Sequence, residues 1–175
     1  MKTLPQIVST TLKVFLTLSV IGLMIEFWFI LWVFLSHHLN WEGFIRKFND
    51  GIDFTKIWQT DAVAFNVLML FEVLVNVLKI NLFLAALKIL KKIDLQNPFG
   101  QNLIPLFRRI SLLAFIIGFT AILVKGYIEL RVSNDLILST QIAESSYLWF
   151  AAIVYIAALV YERGITIQSE NDLTI

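Results

Sequence analysis

Long apolar runs separated by short polar clusters set the organisation of this chain. The runs are Leu12–Leu35, Ala62–Leu87, Ile110–Val124 and Tyr147–Tyr161. At the rise of an α-helix, each approaches or exceeds the length that crosses a hydrocarbon core of about 30 Å. The pattern predicts an all-α integral membrane protein with four transmembrane helices in a compact bundle. Too little chain remains for a separate soluble domain, so residues 1–175 read as a single four-helix membrane domain. Within it, 88–109 form a cytoplasmic connection and 164–175 a cytoplasmic tail.

The polar breaks predict how the helices begin and end. Asn40 is placed to cap a short outer interfacial helix, on which Trp41, Phe44, Ile45 and Phe48 recur at helical spacing. The same segment also reads as a packed loop with aromatic anchors. Thr60-Asp61 offers a cap for the second span. Asn97-Pro98 disfavours further helix, Asn102 is an N-cap for the third helix, and Pro105 falls in its first turn. Gly164 reads as the terminator of the fourth helix. Beyond it, Ile165 and Ile167 alternate with Thr166 and Gln168 in an acidic tail.

Composition strengthens the membrane reading. The chain is 58% hydrophobic and only 15% charged, where soluble domains carry about a quarter. The first run is too long for a signal peptide, and no small-residue cleavage site follows it. With no cysteine, disulfides and thiolate metal sites are excluded. The formal charge is +1, and no basic tract points to direct nucleic-acid binding.

Charge placement predicts topology. Lys2, Lys13, Lys88, Lys91, Lys92, Arg108, Arg109 and Arg163 fall on one side, against Arg46, Lys47, Lys56 and Arg131 on the other. The positive-inside rule then puts both termini and the central connection in the cytoplasm of a multi-pass protein in a bacterial inner or plasma membrane.

Polar residues inside the spans are the chief candidates for chemistry. Glu26, Glu72, Asn76, Lys79 and Lys125 form a candidate intramembrane cluster, because ionisable groups in spans usually face a bundle interior or a cavity. Helix rise puts Glu26 about 21 Å, Lys125 about 22 Å and Glu72 about 24 Å from the cytoplasmic ends of their helices. Matched depth predicts that Lys125 approaches Glu72 or Glu26, while Glu129 offers it a pairing at i,i+4. Glu72, Asn76 and Lys79 share one face of the second helix. That stripe either lines a water-filled crevice or serves as a structural ladder of interhelical hydrogen bonds.

Catalytic and metal motifs do not stand out. Adjacent His37 and His38 diverge on a helix and read as interfacial polar residues rather than a metal pair. No zinc-protease motif, phosphate loop or serine elbow occurs. No cofactor or metal is expected.

Two segments carry a family resemblance. One is Asn97-Pro98-Phe99-Gly100-Gln101-Asn102 with Arg108-Arg109-Ile110 downstream; the other is the tail from Arg163 and Gly164 through Gln168, Glu170 and Asp172 to Ile175. Together they resemble the bacterial membrane family catalogued as domain of unknown function 2975. The resemblance implies four membrane helices and no established activity. The frequent proximity of family genes to a small helix-turn-helix regulator implies a membrane sensor or membrane partner of such a regulator. Where the motif usually continues into glycine, this chain has Ser111, another small residue that suits close helix packing.

The residues thus mark a candidate cytoplasmic interaction surface: Asn97, Pro98, Phe99, Asn102, Arg108, Arg109, Gly164, Gln168, Glu170 and Asp172. The expected function is that of a non-enzymatic bacterial membrane protein in signalling or regulation. Its partners are the lipid bilayer and either a cytoplasmic protein or further copies of itself. The alternative is a small oligomeric transporter or permease component that uses the Glu72–Asn76–Lys79 stripe.

Overall fold

The computed structural model describes residues 4–39, 54–93, 103–131 and 146–172. They form five helices: α1 (Leu4–His38), α2 (Phe54–Thr60), α3 (Ala62–Lys92), α4 (Ile104–Arg131) and α5 (Ser146–Asp172). No strand occurs among the described residues. Four of the helices are long and apolar enough to cross a membrane. The chain is a multi-pass membrane protein with an all-α fold. The outer helix expected over Asn40–Phe48 lies outside the described residues.

The break between α2 and α3 turns on one residue. The backbone N–H of Asp61 closes α2 on the Ile57 carbonyl at 2.8 Å. Its side chain then accepts from the N–H groups of Val63 and Ala64, both at 3.0 Å, as the N-cap of α3. Two donors that the first turn leaves without a helical partner are thereby satisfied. Asp61→Ala is expected to cost about 0.5–2 kcal/mol, read as a lower thermal midpoint in detergent. Asp61→Asn should keep most of that stability.

The far end of α3 and the start of α4 follow equally local rules. Ile93 donates back to the Ile89 carbonyl at 2.9 Å and then turns extended, with φ −66° and ψ 121°. Lys91 and Lys92 occupy the last turn of α3, where cations suit the exposed carbonyls. Pro105 sits in the first turn of α4, where its missing N–H leaves no helical bond unmade.

The long helices pack as a row, α1 on α3, α3 on α4 and α4 on α5, and no comparable interface joins α1 to α5. Within its most apolar stretch α1 is only 6% buried, against 44% for α4. The middle of the row is therefore α3 and α4, with α1 and α5 as flanks. Two apolar clusters hold it. One joins Val75, Leu82, Ala85 and Ile89 of α3 to Ile110, Ala114 and Ile117 of α4 and Ala151 of α5. The other joins Val33 of α1, Ile57 of α2, Phe65, Leu68 and Met69 of α3, and Val124 of α4.

Small residues let α4 and α5 approach closely. Ser111, Ala114, Gly118 and Ala121 recur at helical spacing and are all buried, the kind of surface that promotes helix contact in lipid. The Ser111 hydroxyl donates to the Ala151 carbonyl at 2.9 Å. A Cβ placed on Gly118 would meet Leu148 Cγ at 2.7 Å.

The pairing also fixes an axial offset. Leu148, near the start of α5, lies against Gly118, so α4 continues about 20 Å beyond that level. At the other end Arg108 pairs with Glu162, and α5 runs on for about 15 Å to Asp172. Gly164 does not terminate this helix, which continues to Asp172 in place of the alternating tail. A glycine costs only about 1 kcal/mol inside a helix. Here Gly164 is half-buried, while the Thr166 hydroxyl donates to the Glu162 carbonyl at 3.2 Å and Ser169 to Thr166 at 2.8 Å.

Candidate functional site

The α3 stripe has one fully enclosed member. Asn76 is 2% exposed. Both polar atoms of its amide are buried without a hydrogen-bond partner among the described residues. Asn81, on the same helix, instead donates its amide to the Val77 carbonyl at 2.9 Å. Glu72 and Lys79 are half-buried. Along α3, Asn76 falls beside the boundary between the two apolar clusters, which reach Met69 from one side and Val75 from the other. On α4 the buried Thr120 falls in the corresponding gap, between Ile117 and Val124. Each of the two central helices thus carries one buried polar side chain near the boundary between the apolar clusters.

The other candidate ions are arranged differently. Glu26 is exposed on α1. The Lys125 ammonium lies 4.0 Å from Glu129 on its own helix, with 70% of its side chain exposed. Lys125 therefore uses the i,i+4 neighbour, and the expected approach to Glu72 or Glu26 gives way to it. The depths match, but Lys125 continues the Gly118–Ala121 face of α4 on the stretch that runs past the start of α5, and it is exposed there.

At the α4–α5 crossing, Arg108 donates through one nitrogen to both oxygens of Glu162, at 2.8 and 3.1 Å. Phe107 packs beside Tyr161 with ring centres 5.4 Å apart. Arg109 is exposed. The acidic partner of this region is thus Glu162, which the sequence reading did not single out. Gln168 is half-buried and Glu170 exposed, both on the helical continuation of α5. Asn97, Pro98, Phe99 and Asn102 lie outside the described residues. Asp172 is the last helical residue.

A second polar group sits where α1, α2 and α3 meet. His37 is 7% exposed. Its Nδ1 lies 2.9 Å from the Val33 carbonyl, which only accepts, so Nδ1 carries the proton. Its Nε2 is buried with no partner among the described residues. The ring lies 4.6 Å from Phe65 and 5.9 Å from Trp58. His38 instead reaches across the helices and donates from Nε2 to the Asn66 amide oxygen at 3.1 Å. The pair is more structural than the interfacial reading implied: one ring is enclosed by aromatics and the other ties α1 to α3. The aromatic content of 54–65 was the available signal, since Trp58 and Phe65 bring two rings to one end of a helix pair.

Among the described residues, no three His, Cys, Asp or Glu side chains gather where they could hold a metal ion. A cavity of about 360 Å³ opens between α3 and the start of α5, lined by Leu82, Phe83, Ser146, Tyr147 and Phe150. It is chiefly apolar, and no member of the α3 stripe lines it. Set against known protein families, curated proteins and solved structures, the chain matches none. The motif resemblance therefore brings no fold or activity with it.

Proposed function

We propose that this chain is a non-enzymatic bacterial membrane protein that receives a cytoplasmic protein on the end of α5, as a membrane sensor or as the membrane partner of a small regulator. The bias in basic residues supports cytoplasmic termini. The observation that carries the reading is the continuation of α5 past Glu162 to Asp172. On that overhang Arg163, Ile167 and Glu170 recur at i, i+4 and i+7, and all three are exposed. Ile167 is 50% exposed. Beyond the hydrocarbon, a stripe with one apolar residue between opposite charges has the chemistry of a small protein-binding face.

A photo-crosslinking residue at position 167, used in intact membranes, tests this. Capture of one defined protein is expected, and it should disappear when Gln168–Ile175 are removed. Capture of lipid alone, or of the same protein by the truncated chain, overturns the reading. Labelling of a single cysteine at position 97 by an impermeant reagent outside intact cells would overturn the orientation.

The buried amide of Asn76 beside half-buried Glu72 supports a second reading, a small oligomeric transporter. Asn76→Leu separates the two. A transporter loses flux, whereas a protein-binding membrane component retains capture at position 167.

A further inference from the structure

Hydroxyl side chains and Glu26 fare differently on α1. Thr10, Thr11, Thr17 and Ser19 each return a hydroxyl to a carbonyl of their own helix, at 2.7–3.0 Å. Such groups sit in hydrocarbon at little cost, because the helix itself satisfies them. Glu26 has no such route, since the backbone N–H groups in a helix interior are already engaged. It is exposed, and no hydrogen bond or ion pair engages it among the described residues. It lies about 4 Å from the midpoint of Leu12–Leu35, where an ionisable side chain is most expensive. Such groups usually face the interior of an assembly, yet no described residue of the row encloses this one.

We propose that the Glu26 face of α1 is the contact between two copies of this chain. The bilayer supplies the argument for a second copy. Copies inserted in the same orientation are related by an axis along the membrane normal, so each residue on that axis meets its equivalent at equal depth. Two carboxyl groups that share a proton then form an O–H···O bond, which satisfies both with a single kind of residue. No other helix need carry a matching group. The face is also open at its narrowest point. Gly22 lies one turn from Glu26, and a Cβ added there meets nothing within 4 Å. A second α1 can therefore approach closely.

Because the chain contains no cysteine, single cysteines test the contact directly. Gly22→Cys shares the Glu26 face, while Ile21→Cys and Trp28→Cys point to the opposite side. Mild oxidation of the full chain in its membrane should link Gly22→Cys into a product of twice the chain mass, with little product from the other two. Adding Glu26→Leu should lower the association constant about threefold to thirtyfold, the span of interhelical hydrogen bonds in membranes. Glu26→Gln keeps donors and acceptors and should retain the product. The proposal is overturned by equal yields at all three positions, by no product at 22, or by a product of another mass. An unchanged yield with Glu26→Leu overturns it as well.

Discussion

Gly118→Val is expected to loosen α4 from α5 and to give the largest loss of stability of any single substitution described for this protein. The glycine faces the first turn of α5. A Cβ there would lie 2.7 and 2.8 Å from Leu148 Cγ and Cδ2, and 3.0 Å from the Leu148 backbone nitrogen. The leucine side chain can rotate aside, but the nitrogen moves only if the helix moves. Overpacking of this kind costs about 1–3 kcal/mol for a single added group, so alanine already pushes the helices apart and valine does so further. The loss matters more in lipid than in water, because packing rather than exclusion of water drives helix association there. The measurement is the thermal midpoint in a mild detergent, with a fall of about 3–10 °C for alanine and a larger one for valine. Gly126→Ala is the control: its Cβ meets nothing within 4 Å, so its midpoint should hold or rise. A Gly118→Val midpoint equal to that of the parent would show that α4 and α5 do not meet there.

Asn76→Leu is expected to act in the opposite direction and stabilise the fold by about 1–3 kcal/mol. The amide is buried with neither its donor nor its acceptor engaged among the described residues, and an enclosed polar group without a partner opposes folding. Leucine has a similar size and removes that penalty. Asn76→Asp should do the reverse, since a carboxylate at this position is harder still to bury. A gain in midpoint that comes with lost transport would mark Asn76 as retained for function at the expense of stability. A lower midpoint for the leucine variant would show instead that the amide is bonded in the membrane.

How far the sequence reaches can be judged residue by residue. Hydropathy located all four long helices, since Leu12–Leu35 and its counterparts lie almost wholly inside α1, α3, α4 and α5. The helices outrun those apolar stretches because lysines, arginines and hydroxyl residues at their ends are compatible with helix. Asp61 was legible as a cap because that role is local. Gly164 misled for the same reason: a local terminator signal was outweighed by side-chain bonds and packing around it. Depth is readable from helix rise, but rotation about the axis is not. Nor is the axial offset between helices: Lys125 matched Glu26 and Glu72 on paper, but it sits where α4 runs past the start of α5 and pairs with Glu129 in the fold. Arg108 with Glu162, and His38 with Asn66, depend on both the axial offset and the rotation of two helices. Neither quantity is encoded in a run of apolar residues.

The row-like order of the helices bears on how the chain reaches its folded state during synthesis. Each long helix after the first packs on the one that precedes it: α3 on α1, α4 on α3, α5 on α4. A helix leaving the translocation channel therefore finds one of its packing partners already in the bilayer. Contacts between neighbours along the chain carry a low entropic cost of closure. The α3–α4 part of the apolar core can close as soon as α4 arrives, before α5 has been made. A ribosome arrested after α4 should accordingly hold a nascent chain whose α3–α4 seam already resists protease and cysteine-modifying reagents.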